Sequence, residues 1–105
     1  MLNQVIVVGR IQQINKTEER NEVVISTPRA YKNVDGIYEN DIITAKLHNG
    51  MIENVANYLK TGDLIGIKGR IQSTQQDDKT IMEVVAEKVT FLSSKSEQIK
   101  KEMEN

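Results

Sequence analysis

Short apolar, β-branched runs alternate with polar stretches along the first half of the chain. Three such runs span residues 5–14, 23–31 and 41–48. Within the third run, Ile43, Ala45 and Leu47 share one face, because alternate residues of a strand point to the same side. A period of two over runs of this length is typical of strands that cover a core on one side. The pattern predicts three successive β-strands, with the polar residues 15–22 as a loop.

A turn signal separates the second and third predicted strands. Asn33 precedes the pair Asp35 and Gly36, and such a pair readily takes the positive φ angles of a tight hairpin. Pro28 lies inside the second run and has no N–H group to donate to a neighbouring strand. We therefore expect a hairpin at Gly36, and we expect Pro28 at a strand edge or a bulge.

The hydrophobic period changes to that of a helix near the middle of the chain. The apolar residues at helical spacing are Ile52, Val55, Ala56 and Leu59. Asn49 or Gly50 is the expected N-cap, and Gly62 is the expected stop signal at the C-terminal end. One short helix is predicted.

The period returns to two over residues 64–71, and a last apolar run covers residues 80–92. In the fourth strand, the side chains expected to point inward are Ile65, Ile67 and Ile71. Gly66 and Gly69 are expected where a strongly coiled strand could bend. The polar residues 74–79 are predicted to form the turn between the last two strands.

The predicted elements run strand, strand, strand, helix, strand, strand. This is the order of the OB barrel, whose open face and loops commonly bind oligonucleotides or oligosaccharides. We predict a mainly β fold, a five-stranded OB-fold barrel with one short helix between strands 3 and 4, over residues 1–92. Residues 93–105 carry three Lys and three Glu and are predicted to be a short charged C-terminal tail or helix.

Composition narrows the function classes. A chain of 105 residues suits one domain. It contains no Cys, which removes disulfides and thiolate chemistry and suits a reducing compartment, so a cytoplasmic protein is expected. The apolar run near the start is too short for a signal peptide or a membrane span. The net charge of −1 means that any nucleic-acid binding must use a local basic patch.

No pattern of residues indicates a catalytic centre. His48 is the sole histidine, and a metal site would need further His or Cys ligands. Ser26, His48 and Asp41 offer the side chains of a catalytic triad, but nothing in their spacing supports one. We expect a binding module rather than an enzyme, with no cofactor, no metal and no small-molecule substrate.

Several stretches resemble the bacterial single-stranded DNA-binding protein family. Residues 1–10 (MLNQVIVVGR) are similar to its first strand, and residues 31–33 (YKN) with residues 35–36 (DG) are similar to its strand and hairpin. Its most recognisable stretch is matched by residues 53–62 (ENVANYLKTG), 66–72 (GIKGRIQ) and 83–86 (EVVA). The resemblance implies a homotetramer or homodimer that binds single-stranded DNA without strong sequence preference, in replication, recombination or repair. Replication or repair proteins are the further partners it implies.

The chain also departs from this family, whose members stack bases on aromatic side chains. Ile42 and His48 stand where the family usually carries Trp or Phe, residues 74–79 are shorter than the family's aromatic-bearing loop, and Tyr31 alone remains in place. The acidic C-terminal tip that recruits the family's partners is absent, so recruitment by that route is not expected. The alternative is a protein-interaction OB module of the primosomal type, or a paralogue that partners a fuller single-strand binder. A saccharide-binding OB domain is the weaker third reading, because sugar sites also favour aromatic platforms.

The candidate nucleic-acid-binding residues are cations and rings along the predicted strands. They are Arg10, Arg29, Tyr31, Lys32, Lys46, His48, Lys68 and Arg70. Tyr31 is the candidate stacking platform, and the cations are candidate phosphate contacts or an ordinary solvated face. Tyr38 is a spare platform or a packing residue, whereas Tyr58 and Phe91 are expected in the core. Candidate positions for self-association are the outward apolar residues Ile6, Val8, Ile42 and Met82.

Overall fold

Five strands and one helix make up the fold in a computed structural model that describes residues 1–95. The elements are β1 (Val5–Lys16), β2 (Asn21–Lys32), β3 (Tyr38–Lys46), α1 (Asn49–Tyr58), β4 (Leu64–Gln76) and β5 (Lys79–Ser93). The predicted fold class and element order are confirmed. Most of the predicted C-terminal tail or helix, residues 96–105, lies outside the described residues.

The strands close into a barrel in the order β1-β2-β3-β5-β4. Neighbouring strands are antiparallel except at the seam between β3 and β5, which is parallel. The seam has two paired positions, Ala45 with Val84 and Lys46 with Val85. The barrel is thus joined firmly along four interfaces and briefly along the fifth.

Aliphatic side chains fill the barrel. The buried apolar residues are Ile11, Val23, Ile25, Ala45, Leu47, Ile52, Val55, Ile65, Ile67 and Ala86. The inward prediction is confirmed for Ile65 and Ile67 but is wrong for Ile71, which is 42% exposed. The last residue of β4 that pairs with β1 is Gly69. Beyond that point β4 has no partner in β1, although Val84, the β5 residue opposite Ile71, still pairs with β3. Ile71 therefore lies where the barrel is open on the β1 side, and β4 and β5 continue beyond it as a two-stranded arm.

Strand residues make up half or more of each of two predicted loops. The β1–β2 ladder continues to the pair Lys16 and Asn21, so residues 15–22 contribute only a four-residue connection. The β4–β5 ladder continues to Gln76 and Lys79. Because polar residues occupy both faces of these extensions, the sequence has no apolar alternation there to reveal them.

The tip of the β4–β5 arm is a two-residue turn. Asp77 and Asp78 have φ angles of 48° and 63°, which is the left-handed region that a type I′ hairpin turn requires. Asp tolerates this region better than most side chains, though less readily than Gly. The turn is therefore the pair Asp77 and Asp78, and it is shorter than the turn over residues 74–79 that the sequence predicts.

The hairpin between β2 and β3 is confirmed. The Asn33 side-chain oxygen accepts hydrogen bonds from the N–H groups of Asp35 (2.9 Å) and Ile37 (3.0 Å), and Gly36 has a φ of 78°. Pro28 lies beyond Ser26, the last β2 residue paired in register with β1. The β2–β3 register also shifts after Pro28. Both predictions for Pro28, an edge and a bulge, are met.

The helix α1 begins one residue earlier than expected. β3 ends at Lys46, and the N-cap is His48, whose Nδ1 accepts a hydrogen bond from the Met51 N–H at 3.2 Å. The predictions that His48 belongs to β3 and that Asn49 or Gly50 caps the helix are therefore wrong. Buried Ile52 and Val55 plug the barrel, and Gly62, with a φ of 96°, lies in the turn after the helix. No helix within residues 1–95 has the length and apolar character needed to cross a membrane.

Candidate nucleic-acid interface

Tyr31 and Tyr38 project from the end of the β2–β3 hairpin. Their exposed fractions are 67% and 55%, so Tyr31 is a surface ring rather than a packed one. Lys32 pairs with Tyr38 across the two strands, and its Nζ lies 5.6 Å from the Tyr38 ring centroid. An exposed ring can stack on a base, and a neighbouring ammonium group can contact the phosphate of the same nucleotide.

Arg29 lies on β2 and is already engaged by two carboxylates. Its Nη2 lies 2.9 Å from Asp41 Oδ1, and its Nη1 lies 3.0 Å from Glu39 Oε2. The hydrogen bond to Asp41 raises the pKa of Arg29, the charges of Asp41 and Glu39 raise it further, and Tyr31 adds a smaller effect. Two negative charges surround one positive charge here, so a phosphate that reached Arg29 would have to displace a carboxylate.

Arg10 and Lys46 also have partners within the fold. Arg10 Nη1 donates a hydrogen bond to the Gly62 carbonyl oxygen at 2.9 Å, which ties β1 to the turn before β4. Lys46 Nζ lies 3.4 Å from Glu83 Oε2. Since Lys46 and Glu83 belong to β3 and β5, this ion pair bridges the short parallel seam. Both cations have structural roles, and their predicted phosphate contacts stay predictions.

Lys68 and Arg70 point outward from β4, as expected. Arg70 Nη2 donates a hydrogen bond to Gln72 Oε1 at 3.2 Å. Within residues 1–95, Lys32, Lys68 and Arg70 have no carboxylate at ion-pair distance. Arg10 has no carboxylate partner either, but its guanidinium donates to the Gly62 carbonyl oxygen. Lys32, Lys68 and Arg70 are therefore the predicted cations that are neither ion-paired nor hydrogen-bonded to a backbone carbonyl within residues 1–95.

Lys88, which sequence reasoning missed, lies directly opposite Lys68 on β5. The pairing then skips Glu87, because Gly69 is opposite Ala86. This bulge lies at Gly69, where the sequence predicts a bend. A glycine marks the bend but does not reveal which β5 side chain then stands beside Lys68. Two ammonium groups in register across a ladder repel each other, so this point of the surface favours an anion.

The prediction that Tyr58 and Phe91 lie in the core is wrong. Tyr58 is the last residue of α1 and is 78% exposed, and Phe91 is 48% exposed. Phe91 pairs with Ile65 and so follows the inward register, but it lies at the barrel end beside the C-terminal turn of α1. Tyr58, Phe91, Lys88 and His48 all line a groove of about 570 Å³ between α1 and β5.

Metal-ligating side chains do not cluster in the described part of the chain. No group of three or more His, Asp or Glu side chains within residues 1–95 could hold a metal ion. His48 instead caps α1 through Nδ1 and is exposed at the rim of the groove.

The closed five-stranded barrel with a helix between β3 and β4, and with its rings and cations outside, defines a binding module of the OB class. The family model for the "Single-strand binding protein family" matches residues 2–92. The chain belongs to that family.

Relatives support the assignment over nearly the whole chain. The "Single-stranded DNA-binding protein" of Oceanobacillus iheyensis is 38% identical over 93% of this chain and 68% of its own length. "Single-stranded DNA-binding protein 1" of Clostridium acetobutylicum is 36% identical over 93% of this chain and 100% of its own length. Both relatives therefore align with nearly the whole of this chain.

Solved structures show the same fold at lower identity. A deletion mutant of the single-stranded DNA-binding protein from Thermus aquaticus superposes with a TM-score of 0.67 at 21% identity, covering 88% of this chain and 51% of that one. A mitochondrial single-stranded DNA-binding protein from S. cerevisiae gives 0.65 at 16% identity, covering 87% and 93%. At these identities the likeness concerns the fold alone.

Proposed function

We propose that this protein binds single-stranded DNA without strong sequence preference, as a non-enzymatic module in replication, recombination or repair. The family assignment supports the ligand class. The observation that carries the proposal is the exposed Tyr31 near the end of the β2–β3 hairpin, where the Lys32 Nζ also lies 5.6 Å from the centroid of the exposed Tyr38 ring. The proposed DNA-binding domain comprises residues 1–92. The proposed location is the cytoplasm, because a chain without Cys suits a reducing compartment.

The proposed mechanism combines stacking with backbone charge. Every base has a π face, so a ring such as Tyr31 accepts any base, and stacking gives affinity without sequence readout. Lys32, Lys68 and Arg70 supply positive charge for phosphates. Because Arg10, Arg29 and Lys46 already have partners, we expect weaker binding than a family member with a full aromatic set would show.

Binding of poly-dT is expected to fall steeply with salt. A single strand releases bound counterions in proportion to the phosphates it contacts, with a logarithmic slope of about −0.7 per contact, so three contacts give a slope of about −2. Fluorescence or gel titrations at low and physiological salt measure this slope. An affinity that barely changes with salt would contradict the proposed phosphate contacts.

Duplex DNA serves as the matched control ligand. Duplex readers commonly insert a helix into the major groove, whereas α1 buries Ile52 and Val55 in the barrel. We expect weaker binding of duplex than of poly-dT at the same salt. A preference for duplex would overturn the proposal.

We also propose that the protein self-associates, as a dimer or tetramer. The four apolar candidates for the interface point outward, and their exposed fractions are 70% (Ile6), 45% (Val8), 57% (Ile42) and 76% (Met82). A small core gains stability when further apolar surface is buried between copies. Sedimentation at tens of micromolar should show a dimer or tetramer, and the charged variant Ile6→Lys should shift the population toward smaller species. A monomer across this concentration range would contradict the proposal.

A second candidate function is a protein-interaction barrel of the primosomal type. It is favoured by the engagement of Arg10, Arg29 and Lys46 within the fold, which leaves few cations for phosphates. The poly-dT titration and sedimentation together separate the two functions. A stable dimer that does not bind poly-dT at low salt would favour the interaction module.

A further inference from the structure

All four aromatic side chains of this chain are exposed to solvent, and none of them is part of the hydrophobic core. Tyr31, Tyr38, Tyr58 and Phe91 are between 48% and 78% exposed, whereas the buried cluster is aliphatic throughout. Two of these rings belong to the hairpin surface already described. The other two, Tyr58 and Phe91, stand together at the far end of α1, where the proposed function has not used them.

Tyr58 and Phe91 form the shared wall of two neighbouring hollows. One is the groove of about 570 Å³ between α1 and β5, and the other, of about 510 Å³, lies toward Lys60 and Lys95. Volumes of this size are in the range of sites for small flat molecules. The Phe91 side chain has no polar atom, and the Tyr58 side chain, the more exposed of the two, has a single hydroxyl. What the two rings offer a ligand is therefore mainly their flat faces.

The charges around the two rings favour an anion. Lys60, Lys88 and Lys95 line the two hollows, and none of the three has a carboxylate at ion-pair distance within residues 1–95. Two acidic side chains also line them, Glu87 and Asp63. Asp63 is buried and accepts a hydrogen bond from the Lys60 N–H at 2.8 Å, so Glu87 is the exposed acidic side chain there. The local charge is positive in a chain whose net charge is −1.

The groove is continuous with the predicted nucleic-acid surface. Lys88 lines the groove and stands in register with Lys68 on the neighbouring strand. His48, another predicted contact, lies at the opposite rim beside the start of α1. A strand that contacts Lys68 on the outside of the barrel can therefore pass Lys88 and reach the two rings without leaving the surface.

We propose that the α1–β5 groove is a second base-stacking subsite for single-stranded DNA. Tyr58 and Phe91 stack bases there, and Lys88 holds a backbone phosphate, with Lys60 and Lys95 on the far side of the rings. Exposed rings interleaved with uncompensated lysines are the chemistry of sequence-tolerant single-strand binding. This inference rests on the proposed function, because it adds a contact for the same ligand.

The absence of Trp from the chain makes a direct test simple. In the full chain, Tyr58→Trp creates a single Trp whose fluorescence reports stacking at that position. Titration with oligo-dT should quench it to a saturating level, at the same equivalence point as the anisotropy of a labelled oligo-dT. The matched control is Asn57→Trp, an exposed position on the same helix turn that does not line the groove, and its quenching should be much smaller.

Affinity supplies an independent readout. Tyr58→Ala should weaken oligo-dT binding roughly five- to a hundred-fold, which is the range for one stacked base, and should leave the thermal midpoint nearly unchanged because the ring is exposed. Phe91 is half-buried, so Phe91→Leu keeps apolar packing while removing the flat face, and it should also weaken binding. Lys88→Gln should reduce the salt slope by about one, whereas Lys79→Gln, at the tip of the β4–β5 arm, should not.

The outcomes separate this inference from the proposed function. If labelled oligo-dT binds but Trp at position 58 is not quenched and Tyr58→Ala binds normally, the subsite is refuted and the proposed function stands. If no oligo-dT binds to the unmodified chain at low salt, both are refuted. If the Trp emission changes with protein concentration and not with DNA, the groove is covered by a second copy, and the inference is overturned.

Discussion

Replacing Tyr31 with alanine is expected to weaken oligo-dT binding by about 1–3 kcal/mol, the usual value of one stacked base. Tyr31 is 67% exposed, so its truncation removes little buried surface, and the free energy of unfolding should hardly change. A buried aromatic would instead lose about 3–5 kcal/mol of stability on the same substitution. Titration by anisotropy and thermal unfolding of the same preparation measure the two quantities.

Conservative variants make the Tyr31 experiment specific. Tyr31→Phe and Tyr31→Trp retain a flat ring and should restore binding, because stacking needs the face and not the hydroxyl. Arg29 is a neighbour whose ion pairs with Asp41 and Glu39 do not depend on the Tyr31 ring, so the local fold should persist in all three variants. Unchanged binding by a well-folded Tyr31→Ala would remove the main support for the DNA-binding proposal and favour the interaction module.

Gly69→Ala is expected to lower the free energy of unfolding by about 1–3 kcal/mol, the usual cost of overpacking. Gly69 is buried at the β4–β5 bulge, and a Cβ atom there would collide with the backbone carbonyl of Val85. Backbone atoms cannot move aside as a flexible side chain can, so the bulge or the ladder must shift. Urea unfolding at constant temperature measures the difference.

Gly66 is the matched control on the same strand. A Cβ atom on Gly66 would find its nearest neighbours, Leu92 Cδ1 and Val8 Cγ2, at 3.8 and 3.9 Å, which is ordinary contact. Gly66→Ala should therefore be close to neutral. If the two variants lost equal stability, the cost would come from strand position in general, and the close approach at Gly69 would not explain it.

The described part of the fold shows which sequence patterns predict strands and turns. The core face of β3 and the inward pair Ile65 and Ile67 follow from period two, since a strand that covers a core must alternate. Gly36 marked its hairpin because few residues tolerate the positive φ angle that the turn requires. Where both faces of a strand meet water, as in the outer half of the β4–β5 arm, no alternation exists, and the strand looked like a loop.

The cationic residues show a different limit of prediction from sequence, because the sequence does not reveal which of them have ion-pair partners. The sequence identified Lys68 and Arg70 as outward-facing, and they are. It could not tell them from Arg29 and Lys46, which have carboxylate partners on neighbouring strands. An ion pair across a barrel depends on register, and register depends on bulges. The same dependence explains why Lys88 went unnoticed although it stands opposite Lys68.

The sequence by itself determined the order of the elements and the aliphatic faces that meet in the barrel, because both depend on local spacing, and its resemblance to known sequences indicated the family. Only the tertiary structure decided which side chains are exposed at the surface. The barrel ends beside the last turn of α1, and this leaves Tyr58 and Phe91 in solvent although Phe91 follows the inward register. An inward direction buries a ring only where another element covers it, and that cover is a property of the assembled barrel and not of any single strand.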